Sequence, residues 1–119
     1  MQRAMADSLL NAKSYAKAIP KYKELLDQFP RDPEIKYALG VCYLKGTRDV
    51  EMALKYLKDA STSDLNTMVY FYLAEALRQS YQFNEAIDYY RRFVVSGGSP
   101  DIKLDEVEKL VTVCENGSF

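Results

Sequence analysis

The chain has 119 residues, enough for one hydrophobic core that hides about two thirds of the unfolded surface. Sixteen basic against seventeen acidic residues leave a net charge of -1 with no run of one sign, which argues against nucleic acid or an anionic membrane as partner. No apolar run nears the roughly 18 residues of a spanning helix, and the start MQRAMADSLL lacks the basic-then-apolar layout of a signal peptide, so a soluble chain without direct membrane insertion is expected.

A first helix is expected over about Gln2–Ala12. Ser14 is placed to cap a second, whose inward face is Ala18, Tyr22, Leu25 and Leu26. Pro20 falls inside that helix, where its ring and missing N–H predict a late start or a kink and leave the Ala16 carbonyl without its helical donor. The stretch FPRDP is a boundary: Pro30 closes one helix, Asp32 caps the next, and Pro33 is its first residue. The third helix, about Pro33–Lys45, carries Gly40 at its centre. Glycine there costs about 1 kcal/mol of helix propensity relative to alanine, which close approach of a neighbouring helix explains. After the turn Gly46-Thr47-Arg48-Asp49, a fourth helix is expected over about Val50–Thr62, with Met52, Ala53, Tyr56, Leu57 and Ala60 inward.

From Tyr70 to Phe93 two helices are built to lock together. Tyr70, Leu73, Ala74 and Leu77 fall at i, i+3, i+4 and i+7 on one face, and Phe83, Ala86, Ile87, Tyr90 and Phe93 form another. The link Gln79-Ser80-Tyr81-Gln82 is short enough that the two must run antiparallel. Ala74 and Ala86, central to those faces, would let the axes approach to about 8–10 Å. Ser96-Gly97-Gly98-Ser99 is a turn. Ser99-Pro100-Asp101 has the composition of a helix start, and a last helix should run to about Cys114 with Leu104, Val107, Leu110, Val111 and Cys114 as its stripe. Its outer side, Asp105, Glu106, Glu108 and Lys109, is polar, and Asn116-Gly117 ends it.

The pattern Tyr70, Leu73, Ala74, Leu77, Phe83, Ala86, Tyr90, Phe93 resembles the tetratricopeptide repeat, a helix-turn-helix unit of about 34 residues. Leu39, Gly40, Tyr43, Ala53, Leu57 and Ala60 reproduce it with one extra residue in the turn, and Met5, Ala6, Leu9, Ala18, Tyr22, Leu25 and Pro30 fit again. The second-helix alanines Ala18, Ala53 and Ala86 stand 35 and 33 residues apart. The resemblance implies an all-α fold, a right-handed α-α superhelix of three helix-turn-helix repeats in one domain. The repeats would cover about 1–32, 33–65 and 66–98, with Leu65 where the family more often has proline. A C-terminal capping helix would follow at about 100–115.

Little chemistry is available. Without histidine the chain lacks the commonest general base and zinc ligand, and Gly97-Gly98 is an isolated pair rather than a phosphate-cradling loop. The carboxylates of Asp105, Glu106 and Glu108 read as a solvated face. No enzyme activity, catalytic residue, metal or cofactor is expected. Cys42 and Cys114 fall on apolar stripes and read as core residues rather than a disulfide.

In solenoids of this family the first helix of each repeat lines a concave groove, and the resemblance places Arg3, Asp7, Leu10, Tyr37, Val41, Leu44, Met68, Phe71, Glu75 and Arg78 on it. The carboxylate clamp of some members is missing, because the matching positions hold Arg3, Asp7, Ala38, Met68 and Tyr72. The expected binding residues are therefore Tyr37, Val41, Leu44, Met68, Phe71, Glu75 and Arg78, centred on an apolar patch of Tyr37, Val41, Leu44 and Phe71. The expected partner is a protein or peptide and not a nucleic acid, with a homodimer contact as another use of the same face. More narrowly, YALGVCYL, YFYLAEALRQSYQFNEAIDYYRRF and CENG resemble the N-terminal repeat segments of bacterial envelope proteins. In those, the repeats precede a β-propeller and an outer-membrane-protein-A-like domain. That likeness implies a docking and spacing segment of a longer periplasmic, outer-membrane-associated protein; without it the cytoplasm is the default compartment.

Overall fold

Small residues where helices cross, and one tight turn within each hairpin, set the architecture. The computed structural model describes residues 2–63 and 66–117. They form helices α1 (Gln2–Asn11), α2 (Tyr15–Gln28), α3 (Pro33–Cys42), α4 (Val50–Ser61), α5 (Met68–Gln79), α6 (Phe83–Val95) and α7 (Leu104–Glu115), with a π turn at Tyr43–Thr47. Among the described residues there is no strand beyond an isolated bridge between Ser99 and Ile102. Helices pair as hairpins, α1 with α2, α3 with α4 and α5 with α6, and α7 packs on α6. The expected all-α class of helix-turn-helix repeats is the class found. Leu65 lies outside the described residues. The chain divides into two compact units, residues 1–65 and 66–119.

In the first unit the crossings are occupied by fully buried Ala6, Ala18, Ala53 and Ala60, and by Gly40. A β-carbon added to Gly40 would lie 2.5 Å from Leu57 Cγ, so only hydrogen fits where α3 meets α4. Asp32 caps α3 as expected, accepting from the backbone N–H of Glu34 at 2.9 Å and Ile35 at 3.4 Å. Asp49 caps α4 by accepting from Met52 N–H at 3.3 Å. Ser14 stands at the N-cap of α2, but its hydroxyl makes no cap hydrogen bond.

The extra residue of the middle repeat does not lengthen a loop. In the first hairpin Ser14 N–H donates five residues back, to the Leu9 carbonyl at 2.8 Å, and in the third Gln82 N–H donates to Leu77 at 2.9 Å. In the middle hairpin Asp49 N–H reaches six residues back, to Tyr43 at 3.1 Å. The insertion is absorbed as a π turn, which widens the helix end by one residue. Hence α3 ends at Cys42 rather than continuing regularly to Lys45. Each turn then reverses through one left-handed residue, Lys13 (φ 60°), Arg48 (φ 58°) or Tyr81 (φ 64°).

Pro20 does not delay α2. The helix starts at Tyr15, which makes Pro20 its sixth residue. Proline carries no N–H, so the Ala16 carbonyl has no donor at residue 20.

In the second unit Leu73, Ala74, Leu77, Ala86, Tyr90 and Phe93 fill the α5–α6 crossing, and Val107 and Cys114 of α7 are buried. The last helix starts at Leu104, not near Pro100. Ser99 spends its capping capacity on a separate turn, its hydroxyl accepting from Asp101 N–H at 3.3 Å and its carbonyl from Ile102 N–H at 3.1 Å. Leu104, expected on the inner stripe, is instead 54% exposed.

Two outcomes follow from the α2 and α3 geometry. Gly40→Ala should lower stability by about 1–3 kcal/mol in chemical denaturation although alanine is the better helix former, and the loss should vanish in a Leu57→Ala background. Pro20→Ala should raise the denaturation midpoint, corresponding to about 1–3 kcal/mol, because it restores an N–H in the helix interior.

Candidate functional site

The residue after each crossing position of the first helix decides what that helix can offer. These residues are Asp7 after Ala6, Val41 after Gly40 and Glu75 after Ala74. Four residues beyond the second-helix alanines stand Tyr22, Leu57 and Tyr90. In the first hairpin the Tyr22 hydroxyl donates to Asp7 Oδ1. In the third, the Tyr90 hydroxyl donates to Glu75 Oε1. The middle hairpin replaces acid and tyrosine together by Val41 and Leu57, both buried.

Glu75 and Arg78, expected as charges on a groove, are therefore engaged inside the third hairpin. Arg78 Nη2 donates to Glu75 Oε2 at 2.9 Å, and Arg78 Nε donates to the Tyr90 hydroxyl oxygen at 3.1 Å. The two side chains keep only 18% and 16% exposure, and Tyr90 is fully buried. Burial, and next the negative charge of Glu75, push the Tyr90 hydroxyl well above the ordinary tyrosine range. Burial also raises the Cys114 thiol, with Arg78 pulling the other way, and raises Cys42 to about 11. Both cysteines are free and buried, as core residues are.

Val41 and Leu44 do not belong to an open patch, since each is only 6% exposed. The expected centre of Tyr37, Val41, Leu44 and Phe71 is corrected accordingly: the acid–tyrosine pair of the other hairpins has become an apolar pair, which seals Val41 in the core, and Leu44 sits in the π turn against α2. Phe71 is half-buried, with its ring 5.2 Å from Phe93, 5.9 Å from Tyr90 and 5.8 Å from Tyr72, centroid to centroid. It is thus partly a core residue of the α5–α6 hairpin. Tyr37 on α3 and Met68 and Tyr72 on α5 are half-buried as well. The side chain of Arg3 lies outside the described residues.

Two surface features were not foreseen from the sequence. On the second unit Tyr70 stacks on Tyr89 at 6.3 Å, and the Arg92 guanidinium lies 4.8 Å from the Tyr89 ring centre. Beside this stack is a hollow of about 480 Å³ edged by Asp88 and Arg91. Between α6 and α7 runs a second, more apolar groove of about 470 Å³ lined by Arg91, Val94, Val95, Leu104, Glu108 and Val111 among others. The sequence signal for it was the pair Val94-Val95, which continues past the last inward residue of α6, Phe93. Among the described residues no cluster of three or more His, Cys, Asp or Glu side chains could hold a metal ion, and no helix is long and apolar enough to cross a membrane.

Family models described as the tetratricopeptide repeat match residues 3–64 and 68–96. No curated protein matches the chain. Among solved structures it is similar to the tetratricopeptide domain of Sgt2 from Aspergillus fumigatus, at 18% identity and a TM-score of 0.76, covering 97% of this chain and 75% of that one. It is also similar to the Yersinia enterocolitica type III secretion chaperone SycD in complex with a peptide of the translocator YopD, at 17% identity and a TM-score of 0.80, covering 97% and 90%.

Phe71→Ala should cost about 1–3 kcal/mol of stability in thermal or chemical denaturation, because it removes half-buried ring contacts rather than a free surface group. The Tyr90 hydroxyl has a folded-state pKa above its unfolded value of about 10, so its stabilising contribution is complete below that pH and is lost as pH rises further. Stability measured above pH about 10 should therefore fall less steeply in Tyr90→Phe than in the parent chain.

Proposed function

The chain belongs to the tetratricopeptide repeat family, and we propose that it is a non-catalytic module that binds a peptide or a partner domain on the face of its first helices. The observation that carries this reading is the half-burial of Tyr37 on α3 and of Met68, Phe71 and Tyr72 on α5. These are large, partly apolar side chains that remain reachable while everything around them is locked into the hairpins. Aromatic and methionine side chains in that state supply most of the free energy at protein interfaces, since they lose their remaining water at little cost in rotamer freedom. Glu75 and Arg78 serve the α5 surface as its rigid support, not as its contacts. SycD, whose fold this chain shares, has been solved with a peptide bound, and that supports a peptide as ligand.

The absence of any Ser-His, Cys-His or Gly-rich phosphate arrangement in the sequence supports the non-catalytic reading. The narrower likeness to envelope-protein segments gives a second reading, a docking and spacing element ahead of further domains. The exposed α6–α7 groove favours it. Reading the gene beyond Phe119 tests that alternative: a β-propeller coding region supports it and an immediate stop codon removes it.

For the leading reading, a random peptide library displayed on phage is selected against the protein, and the enriched peptide is titrated against variants. Tyr37→Ala or Met68→Ala should weaken binding by about tenfold or more, as loss of an interface anchor does, while Lys109→Ala on the outside of α7 should not. Equal affinities for all variants would move the binding surface away from the first helices.

A further inference from the structure

The groove between α6 and α7 has the geometry of a helix seat. One repeat length of about 34 residues beyond Tyr70, Ala74 and Leu77 stand Leu104, Glu108 and Val111. The first three are the positions of α5 that receive α6: Tyr70 stacks on Tyr89, and Ala74 and Leu77 are fully buried. The second three line the groove, together with Arg91, Val94 and Val95 of α6. In the three hairpins the corresponding seat is filled by α2, α4 and α6, whereas among the described residues no helix follows α7. The seat is correspondingly open, with Val95 86%, Leu104 54% and Val94 37% exposed.

One position departs from the repeat, and it defines the occupant. Where α1, α3 and α5 carry Ala6, Gly40 and Ala74 at the crossing, α7 carries Glu108. A helix laid there with alanine opposite, as in α2, α4 and α6, would cover a carboxylate without giving it a partner, which costs free energy. A lysine or arginine at that place would meet Glu108, with Glu115 further along the same rim. Arg91 on the α6 rim asks for an acidic residue on the opposite flank of the incoming helix. Among the described residues none of these three charges is in an ion pair. A second copy of this chain does not meet the requirement, because its own second helices present Ala18, Ala53 and Ala86 at the crossing.

We infer that the α6–α7 groove is a docking site for an amphipathic helix of a partner protein, one with an apolar stripe at i, i+3, i+4 and i+7 interrupted by a basic residue facing Glu108. Such a helix continues the hairpin interface in trans and buries Val94, Val95, Leu104 and Val111. The site is separate from the first-helix face and does not depend on it.

The probe is a labelled peptide with the sequence of Phe83–Val95, the helix that fills the equivalent seat on α5, carrying Ala86→Lys at the crossing. Fluorescence anisotropy against the full chain should show saturable binding, about tenfold or more tighter than for the unsubstituted peptide, since the lysine gives Glu108 a partner. Glu108→Lys in the protein should reverse that preference, and Leu104→Asp should abolish binding while circular dichroism shows the helices intact. Failure of both peptides to bind saturably, binding unaffected by Leu104→Asp, or a peptide preference indifferent to Glu108→Lys would each overturn the proposal. So would concentration-dependent dimerisation abolished by Leu104→Asp, which would make the occupant a second copy.

Discussion

A helix crossing in which the side chains are no larger than a methyl group governs most of this structure. Ala6 and Ala18, Gly40 and Ala53, and Ala74 and Ala86 hold that place in successive hairpins. At Gly40, where the helices come closest, an added carbon would overlap Leu57. Close axes bring the larger neighbours into full contact, which is why Leu39, Leu57, Leu73 and Leu77 are completely buried although each hairpin is only two helices thick. The same closeness sorts side chains into structural and available ones. A residue one step beyond the crossing is drawn toward the second helix and has to be satisfied there.

That sorting explains the polar chemistry inside the repeats. Where the step is an acid, a tyrosine four residues beyond the opposite alanine donates to it; where it is Val41, the opposite residue is Leu57. A half-replaced pair would leave a buried carboxylate or hydroxyl without a partner, and among the described residues no buried side-chain nitrogen or oxygen lacks one. In the third hairpin Arg78 completes the set, so three groups able to ionise hold one another instead of a ligand. Binding then falls to side chains further round the first helices, whose rings and thioether are only partly covered.

The helices and their pairing were legible because the apolar stripes and crossing alanines are written at helical spacing, and Asp32 announced its cap through Pro33. Three things were not. The extra residue of the middle repeat was visible, but whether it enlarges a loop or a helix end depends on the backbone, and a π turn has no composition of its own. The Ser99-Pro100-Asp101 signature suits a helix start and a closed turn equally, and Ser99 made the turn. The site was misread where groove positions were carried from the repeat pattern without asking what faces them. The paired change from Asp7 and Tyr22 to Val41 and Leu57 was present in the sequence, and it marks Val41 as core and Glu75 as a partner of Tyr90.

A first-helix binding face is tested most directly by hydrogen exchange on the protein alone and with its selected peptide bound. Bound peptide should slow exchange in the segments of α3 around Tyr37 and of α5 from Met68 to Tyr72, and leave α2, α4 and α6 unchanged. Slowing confined to α2, α4 and α6 would contradict it.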